Sequence, residues 1–188
     1  HLLAGVGDSD LLDLATTGTP EGVDDPVRSA ARRLTLVPLA ARLGWEAEVA
    51  DQVAGWAERP VHSGARGALD AVAELGGWAS LIQVGRAEMA RELLDLVVNA
   101  LARVDRGIAR LDHPSLEDPA LRWWWSQRGA EALLSVGASL ATLGEGAASN
   151  DMARLVERWQ EALAPDFDGQ ALEISGDAVV VRRGSHAG

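Results

Sequence analysis

The sequence contains no cysteine, no tyrosine and no lysine, so all 17 of its cationic side chains are arginines. Without cysteine there is no thiolate nucleophile, no disulfide and no sulfur-ligated metal. Without lysine there is no Schiff base, no lysine-anchored pyridoxal cofactor and no lysine-bearing phosphate loop. Serine, threonine, histidine, aspartate, glutamate and arginine therefore remain to carry any chemistry, and we predict no cofactor.

Metal sites and catalytic triads lack their sequence signatures as well. Of the four histidines, two lie near the ends of the sequence, and His62 and His113 lie beside prolines in predicted loops. There is no His-Glu-x-x-His and no Glu-x-x-His pattern for a zinc or di-iron site, and no Gly-x-Ser-x-Gly elbow for a serine nucleophile. In a calcium loop with Gly169 at the sixth position, Ala164 and Ser175 would replace the first and last carboxylates. We predict no metal site and no catalytic residue.

The balance of charge is strongly acidic. With 188 residues, of which 47% are apolar and 24% charged, the chain has the composition of an ordinary globular protein, but its net charge is -11. Nucleic-acid binding depends on basic surface, so we expect no nucleic-acid partner. Residues 1–25 hold six of the acids and no arginine, which predicts an acidic N-terminal arm. Such an arm is typical of a solvated terminus, and docking on a basic partner is the alternative.

Long apolar runs are also missing. No stretch approaches 18 uninterrupted apolar residues, and the sequence starts with neither a basic leader nor a long apolar run. We therefore expect no membrane partner and a cytoplasmic location.

Glycine and proline divide most of the sequence into helical segments. Asp25 and Asp118 are each followed by a proline, which predicts helix N-caps with proline at the first helical position. The predicted helices are 9–17, 26–43 with a kink or break at Pro38, 45–58, 65–75, 78–84, 86–112, 119–143 and 150–163, with Asn150 as the last N-cap.

The strongest helical pattern lies in residues 86–112. Apolar residues recur there at alternating spacings of four and three: Ala90, Leu94, Val97, Leu101, Val104, Ile108 and Leu111. This heptad pattern predicts one continuous helix inside a bundle. A short loop separates it from the predicted helix 119–143, so we expect the two to pack as a long antiparallel pair.

The period changes near the C-terminus. Residues 171–175 and 178–182 flank Gly176-Asp177, which predicts two strands joined by a two-residue turn. A hairpin is only marginally stable alone, so we expect this one to dock on the bundle or to pair with another chain. The predicted fold class is mainly all-α: a helical bundle or repeat-like helical hairpins, with a long antiparallel pair and a small C-terminal β-hairpin. The predicted regions are 1–25, the acidic arm; 26–165, the helical domain; and 166–188, the hairpin and tail.

Part of the helical region contains similar predicted turns at repeated positions. A leucine–glycine–tryptophan pattern occurs at Leu43-Gly44-Trp45 and again at Leu75-Gly76-Gly77-Trp78, with the two tryptophans 33 residues apart. Similar glycine-containing turns are predicted at Gly85 to Ala90 and at Leu143-Gly144. Over residues 26 to about 100 this resembles the tetratricopeptide-like helical repeats. The aromatic and small positions do not stay in phase, and the helices after Gly85 are too long for a repeat of about 34 residues. The resemblance implies a scaffold for other proteins.

Two clusters of side chains are candidate binding residues. Trp123, Trp124 and Trp125 are consecutive, so on a helix they spread over about 200° and cannot all face one neighbour. We expect at least one of them to pack in a further contact, within the bundle, in an interface or in a ligand groove. The second cluster is a group of arginines, Arg103, Arg106 and Arg110. They share one face of the predicted helix 86–112, away from the heptad residues. They are candidates to bind an anion, and the alternative is a solvated face near a helix C-terminus.

Together these patterns favour a non-catalytic protein-interaction or self-assembly module, with another protein or a second copy of the chain as partner and a homo-oligomer as the expected state. The candidate contact surfaces are the three tryptophans, the hairpin edge with Val179 and Val181, and the acidic arm. One alternative is a small apolar ligand in a bundle pocket lined by Trp124, Trp125, Leu94 and Val97. Another is an enzyme that works through aspartate, glutamate and histidine.

Overall fold

The computed structural model describes residues 25–56, 61–164, 170–175 and 178–183, which are mainly helical, as the composition and periodicity predict. The predicted helix 9–17 and the acidic arm, apart from Asp25, lie outside these residues. The helices are α1 (Pro26–Arg42), α2 (Glu46–Gly55), α3 (Gly64–Gln83), α4 (Ala87–Glu92), α5 (Leu94–Ile108), a 3-10 helix (Pro114–Glu117), α6 (Pro119–Leu143) and α7 (Gly146–Ala162).

Helix α3 is the centre of the bundle. It packs against α1, α2, α4, α5 and α6, while α7 packs mainly on α6. Most of its residues are buried, and many of them are alanine or glycine. Small side chains let neighbouring helices approach closely, so a single 20-residue helix contacts five others.

The predicted break at Gly76-Gly77 is wrong, because both glycines lie inside α3. They are contact positions and not a helix end. A Cβ on Gly76 would lie 2.6 Å from a methyl carbon of Leu34, and a Cβ on Gly77 would lie 2.8 Å from the Trp56 ring. One of the turns that supports the tetratricopeptide resemblance is therefore absent, and the resemblance stays a prediction.

Replacing Gly77 by alanine tests this interpretation. The new methyl group would press on Trp56 and on Val37, whose side chain lies 3.0 Å from the Cβ position. We expect Gly77→Ala to lower the free energy of unfolding by about 1–3 kcal/mol, the usual cost of overpacking. The control is Gly55→Ala, also helical, where nothing lies within 4 Å of the new carbon. There we expect no loss, or a gain of up to about 1 kcal/mol, measured by urea denaturation. An equal loss of unfolding free energy in both variants would contradict the interpretation that Gly77 is required for close packing.

The continuous helix predicted for residues 86–112 is also wrong. The chain leaves helical geometry at Leu93, which separates α4 from α5, and α5 ends at Ile108. The reason lies in a competing donor: the indole N–H of Trp78 donates to the carbonyl oxygen of Ala90 at 2.7 Å. In a continuous helix the amide of Leu94 would donate to that oxygen. That oxygen instead accepts from the Trp78 indole and, at 3.2 Å, from the amide of Leu93. Ala90, Val97, Val104 and Ile108 are nevertheless buried as the heptad predicts.

The predicted long antiparallel pair does not form between residues 86–112 and α6. Both α5 and α6 pack against α3 instead. The helical hairpin that the structure contains is α6–α7, which is joined by Gly144 and Glu145. Gly144 has a φ of +89°, and the amide of Glu145 donates to Leu140 at 2.9 Å. Because this turn is so tight, α7 begins at Gly146, and the predicted N-cap at Asn150 is wrong.

Three further predicted helix ends are confirmed, at Asp25, Asp118 and Gly44, whereas the predicted end of the helix 45–58 lies outside the described residues. Asp25 accepts a hydrogen bond from the amide of Val27, and Asp118 accepts one from the amide of Ala120, both at 3.0 Å. Gly44 follows α1 with a φ of +95°, a conformation that glycine adopts without strain. Pro38 lies inside α1 without ending it.

After α7 the structure has two strands, β1 (Gln170–Ser175) and β2 (Ala178–Arg183), which pair antiparallel. In this register Leu172 lies opposite Val181, and Ile174 lies opposite Val179. The predicted turn at residues 176–177 and the side chains of Val179 and Val181 lie outside the described residues, so the predicted β-hairpin and the contact role of its edge both stay predictions.

Candidate functional site

Five arginines meet around two adjoining cavities near the start of α3. The first, which we call the loop cavity, has a volume of about 510 Å³ and lies between the loop at residues 61–63, the first turn of α3 and the C-terminal part of α5. The second, the helix cavity, has a volume of about 380 Å³ and lies among side chains of α1, α3 and α5. His62 and Arg103 line both. We call the whole site the arginine cleft, with Arg33, His62, Arg66, Arg103, Arg106 and Arg110 as its defining residues.

Close contact between two helices builds the loop cavity. A Cβ on Gly107 of α5 would lie 2.7 Å from the Cβ of Ala68 and 3.0 Å from the carbonyl oxygen of Gly64. Since only glycine fits at this crossing, α5 lies directly against the first turn of α3. Arg103 and Arg106 precede the crossing and Arg110 follows it, so all three reach the cavity wall.

Ion pairs hold the walls of the helix cavity. Arg103 pairs with Glu74, with one nitrogen–oxygen distance of 3.2 Å, and Arg33 pairs with Asp70. The side chains of Arg103 and Glu74 are only 16% and 13% exposed. Burial raises the pKa of the Glu74 carboxyl above its ordinary value, and the hydrogen bond from Arg103 opposes that shift. The pair therefore depends on both partners, because either charge alone would be poorly solvated.

The lining of the loop cavity, in contrast, contains three arginines and no aspartate or glutamate. Arg106 and Arg110 are exposed, and within the described residues neither lies within ion-pair distance of an acid. The side chain of Ser63 makes no capping hydrogen bond to the first turn of α3. The N-terminus of a helix carries a partial positive charge and free amide donors. These features place positive charge and hydrogen-bond donors together at one opening.

Two residues that line the helix cavity also have buried polar atoms without a hydrogen-bond partner. Among the described residues, the Nε of Arg33 and the indole Nε1 of Trp56 are buried without a hydrogen-bond acceptor. Trp56 is 5% exposed. Buried donors without a partner are uncommon in folded proteins and cost free energy.

The arginines predicted from the sequence are brought together, with two corrections. Arg110 lies beyond the end of α5, so the three do not share a helix. The alternative that this face is solvated holds for Arg106 and Arg110 but not for Arg103, which is buried against Glu74. Sequence reasoning missed Arg33 and Arg66, and it took His62 for a loop residue without a role. A usable signal is the spacing of Arg66, Asp70 and Glu74, charged residues four apart on one face of an otherwise apolar helix.

The three tryptophans divide between the core and the surface. Trp125 is fully buried and packs edge-on against Trp124 and Trp159, with ring centres 5.2 and 6.3 Å apart. Trp124 is half-buried, and Trp123 is 43% exposed. The angular spread expected on a helix is therefore present, and a contact role for Trp123 stays a prediction.

No cavity among the described residues is lined by all four residues of the apolar pocket proposed as an alternative, which stays a prediction. Val97 borders a cavity of only about 30 Å³ together with Trp56 and Trp78. Trp125 packs instead on Trp159 of α7.

His113, the other histidine in a predicted loop, caps the 3-10 helix. It accepts a hydrogen bond from the amide of Ser115 at 3.2 Å.

An apolar groove lies on the other side of α5, between that helix and α7. Its volume is about 420 Å³. We call it the α5–α7 groove; its apolar floor is Val98, Leu101, Ala102, Met152 and Leu155, and its charged rim is Asp105, Asp151, Arg154 and Arg158.

Within the described part of the chain, no three histidine, aspartate or glutamate side chains are grouped to hold a metal ion. None of the described helices combines the length and apolarity that crossing a membrane requires. No family model, no curated protein and no solved structure matches the chain.

Proposed function

We propose that this protein is a helical module that binds a small molecule bearing an oxyanion, a phosphate ester or a polycarboxylate, in the arginine cleft. The observation that carries the proposal is the convergence of five arginines on two adjoining cavities in a chain with a net charge of -11. Two carboxylates, Asp70 and Glu74, line the same walls, so the described lining keeps an excess of three positive charges.

The shape and charge of the cleft suit such a ligand. A guanidinium group donates two parallel hydrogen bonds to a carboxylate or phosphate, which a point charge does not. A cleft lined by one sign of charge concentrates ions of the opposite sign. Since the rest of the surface is acidic, an anion is repelled elsewhere and attracted here.

The two cavities suit different parts of one ligand. The loop cavity, with Arg106, Arg110 and the start of α3, takes the oxyanion. The helix cavity, with Asp70 and Glu74, offers acceptors to hydroxyl or amino groups on the rest of the molecule. The proposal is one of binding and involves no catalytic step.

Titration calorimetry with inorganic phosphate, pyrophosphate and citrate at constant ionic strength tests this function. We expect saturable binding that the double variant Arg106→Gln/Arg110→Gln weakens at least about tenfold, or about 1.4 kcal/mol, because two charge-assisted donors are lost. Both residues are exposed, so the variant keeps its fold. Tighter binding of pyrophosphate than of citrate would assign a phosphate ligand, and the reverse a polycarboxylate.

The control for this experiment is Arg42→Gln/Arg91→Gln, which removes the same charge from two exposed arginines outside the cleft. We expect it to leave the affinity within about twofold, since distant exposed charges are screened by salt. Equal weakening in the two double variants, or no saturable binding of any of the three anions, would contradict the proposed function.

A further inference from the structure

We infer that a second copy of this chain covers the α5–α7 groove, so that the protein forms a two-fold symmetric dimer through this face. The inference is independent of the arginine cleft, because the two sites use different sides of α5. Val98, Leu101 and Asp105 line the groove, whereas Arg103 and Arg106 line the cleft.

The α5–α7 groove exposes an apolar side chain to solvent. Val98 is 61% exposed, which is unusual for a large apolar residue beside other apolar residues. Ala102 beside it is exposed and Leu101 is half-buried, while Met152 and Leu155 below them are 3% and 9% exposed. An exposed apolar side chain beside a groove with a charged rim is a feature of protein–protein contacts.

The charges at the rim favour a second copy over another kind of partner. The rim has two aspartates and two arginines, so it is neutral, whereas the whole chain has a net charge of -11. Two copies of an acidic protein repel each other least where their contact faces are neutral. A strongly basic partner would gain little from this rim compared with the acidic surface elsewhere.

The face also has the self-complementarity that a two-fold contact requires. In such a contact one surface meets itself, so it must contain both a protrusion and a recess. Val98 supplies an exposed apolar side chain, and the groove that it lines supplies the recess. Arg158 pairs with Asp105 across it, and both side chains remain about half exposed at 47% and 57%. Within the described residues, Asp151 and Arg154 have no ion-pair partner, so each is available to the opposite charge of the second copy.

Light scattering coupled to size exclusion, over roughly a hundredfold range of concentration, tests the dimer. We expect the unmodified chain to be dimeric at the upper end and Val98→Arg to be monomeric throughout that range. An added arginine lowers the net negative charge and so weakens the general repulsion between copies. Loss of the dimer in Val98→Arg therefore reports on the groove itself.

Two further variants make the experiment specific. Leu134→Arg places the same charge at another exposed apolar residue, 56% exposed on α6, and we expect it to stay dimeric. Trp123→Arg tests the tryptophan surface, and it too is expected to stay dimeric. A chain that is monomeric at every concentration would overturn the inference, and so would a dimer that Trp123→Arg disrupts and Val98→Arg does not. Circular dichroism of each variant establishes that it is folded.

Discussion

Replacing Arg103 by alanine is expected to lower the free energy of unfolding at neutral pH by about 3 kcal/mol, close to the lower end for breaking a buried ion pair. The variant leaves the Glu74 carboxylate, which is only 13% exposed, without the guanidinium that hydrogen-bonds to it. Arg33 and Asp70 lie near Glu74, and their effects on its pKa oppose each other. The loss is therefore expected to be large for a single charged residue.

The same variant has a characteristic dependence on pH. The pKa of Glu74 is raised in the folded protein, and Arg103 is one of the groups that lower it. Removing Arg103 therefore raises the pKa of Glu74 further. A carboxyl whose pKa is higher in the folded than in the unfolded state stabilises the fold when protonated, and that stabilisation is lost as the pH rises through the folded pKa.

We therefore expect the difference in unfolding free energy between the unmodified protein and Arg103→Ala to shrink as the pH falls toward the ordinary glutamate value of 4.5. Urea denaturation at a series of pH values measures this difference. The double variant Arg103→Ala/Glu74→Gln provides the control, because it has no carboxylate left without a partner, and we expect it to recover most of the loss at pH 7. A difference that stays constant with pH would contradict this account of the pair.

Replacing Trp159 by alanine is expected to cost about 3–5 kcal/mol, the range for removing a large aromatic side chain from a core. Trp159 is completely buried, packs on Trp125 and donates its indole N–H to the Trp125 carbonyl oxygen at 2.9 Å. Gly129 makes room for it, since a Cβ there would lie 2.5 Å from the Trp159 indole nitrogen. The ring thus joins α7 to α6.

Trp123→Ala is the matched control in the same aromatic cluster. Trp123 is 43% exposed, so we expect its removal to cost less than about 1 kcal/mol. Thermal and urea denaturation of both variants give the comparison. Equal losses would show that the division of the tryptophans into core and surface positions is wrong.

Local chemistry made much of this fold predictable. Asp25 and Asp118, each followed by proline, predict their helix starts because a carboxylate cap and a proline satisfy the same first turn. Gly44 and Gly144 predict helix ends because their left-handed backbone favours glycine. Each of these helix ends depends on residues within a few positions of it, so the local sequence is enough to predict it.

The errors occurred where a distant residue decides the local structure. Gly76 and Gly77 lie inside a helix at positions where Leu34 and Trp56 leave no room for a side chain, so here the two glycines serve packing and not a helix end. Helix α4 ends at Glu92, where the Trp78 indole donates to the carbonyl oxygen of Ala90. Neither partner is visible in the local pattern, and helix propensity alone predicts the opposite in both cases.

The candidate site was predictable only in part for the same reason. Arg103, Arg106 and Arg110 are close in sequence, so their spacing indicates a shared location. Arg33 and Arg66 reach the cleft only because α1, α3 and α5 pack together, which is a tertiary event. The neutral rim of the α5–α7 groove likewise depends on which faces of α5 and α7 meet.

Anomalous diffraction from crystals soaked in tungstate tests the central claim, anion binding in the arginine cleft, most directly. Tungstate has the charge and tetrahedral shape of a phosphate group, and its strong anomalous signal gives its position without assumptions. The account predicts a tungstate peak in the loop cavity, among Arg103, Arg106, Arg110 and the first turn of α3, away from contacts between molecules in the crystal. Tungstate bound elsewhere on the protein, with none in this cavity, would contradict it.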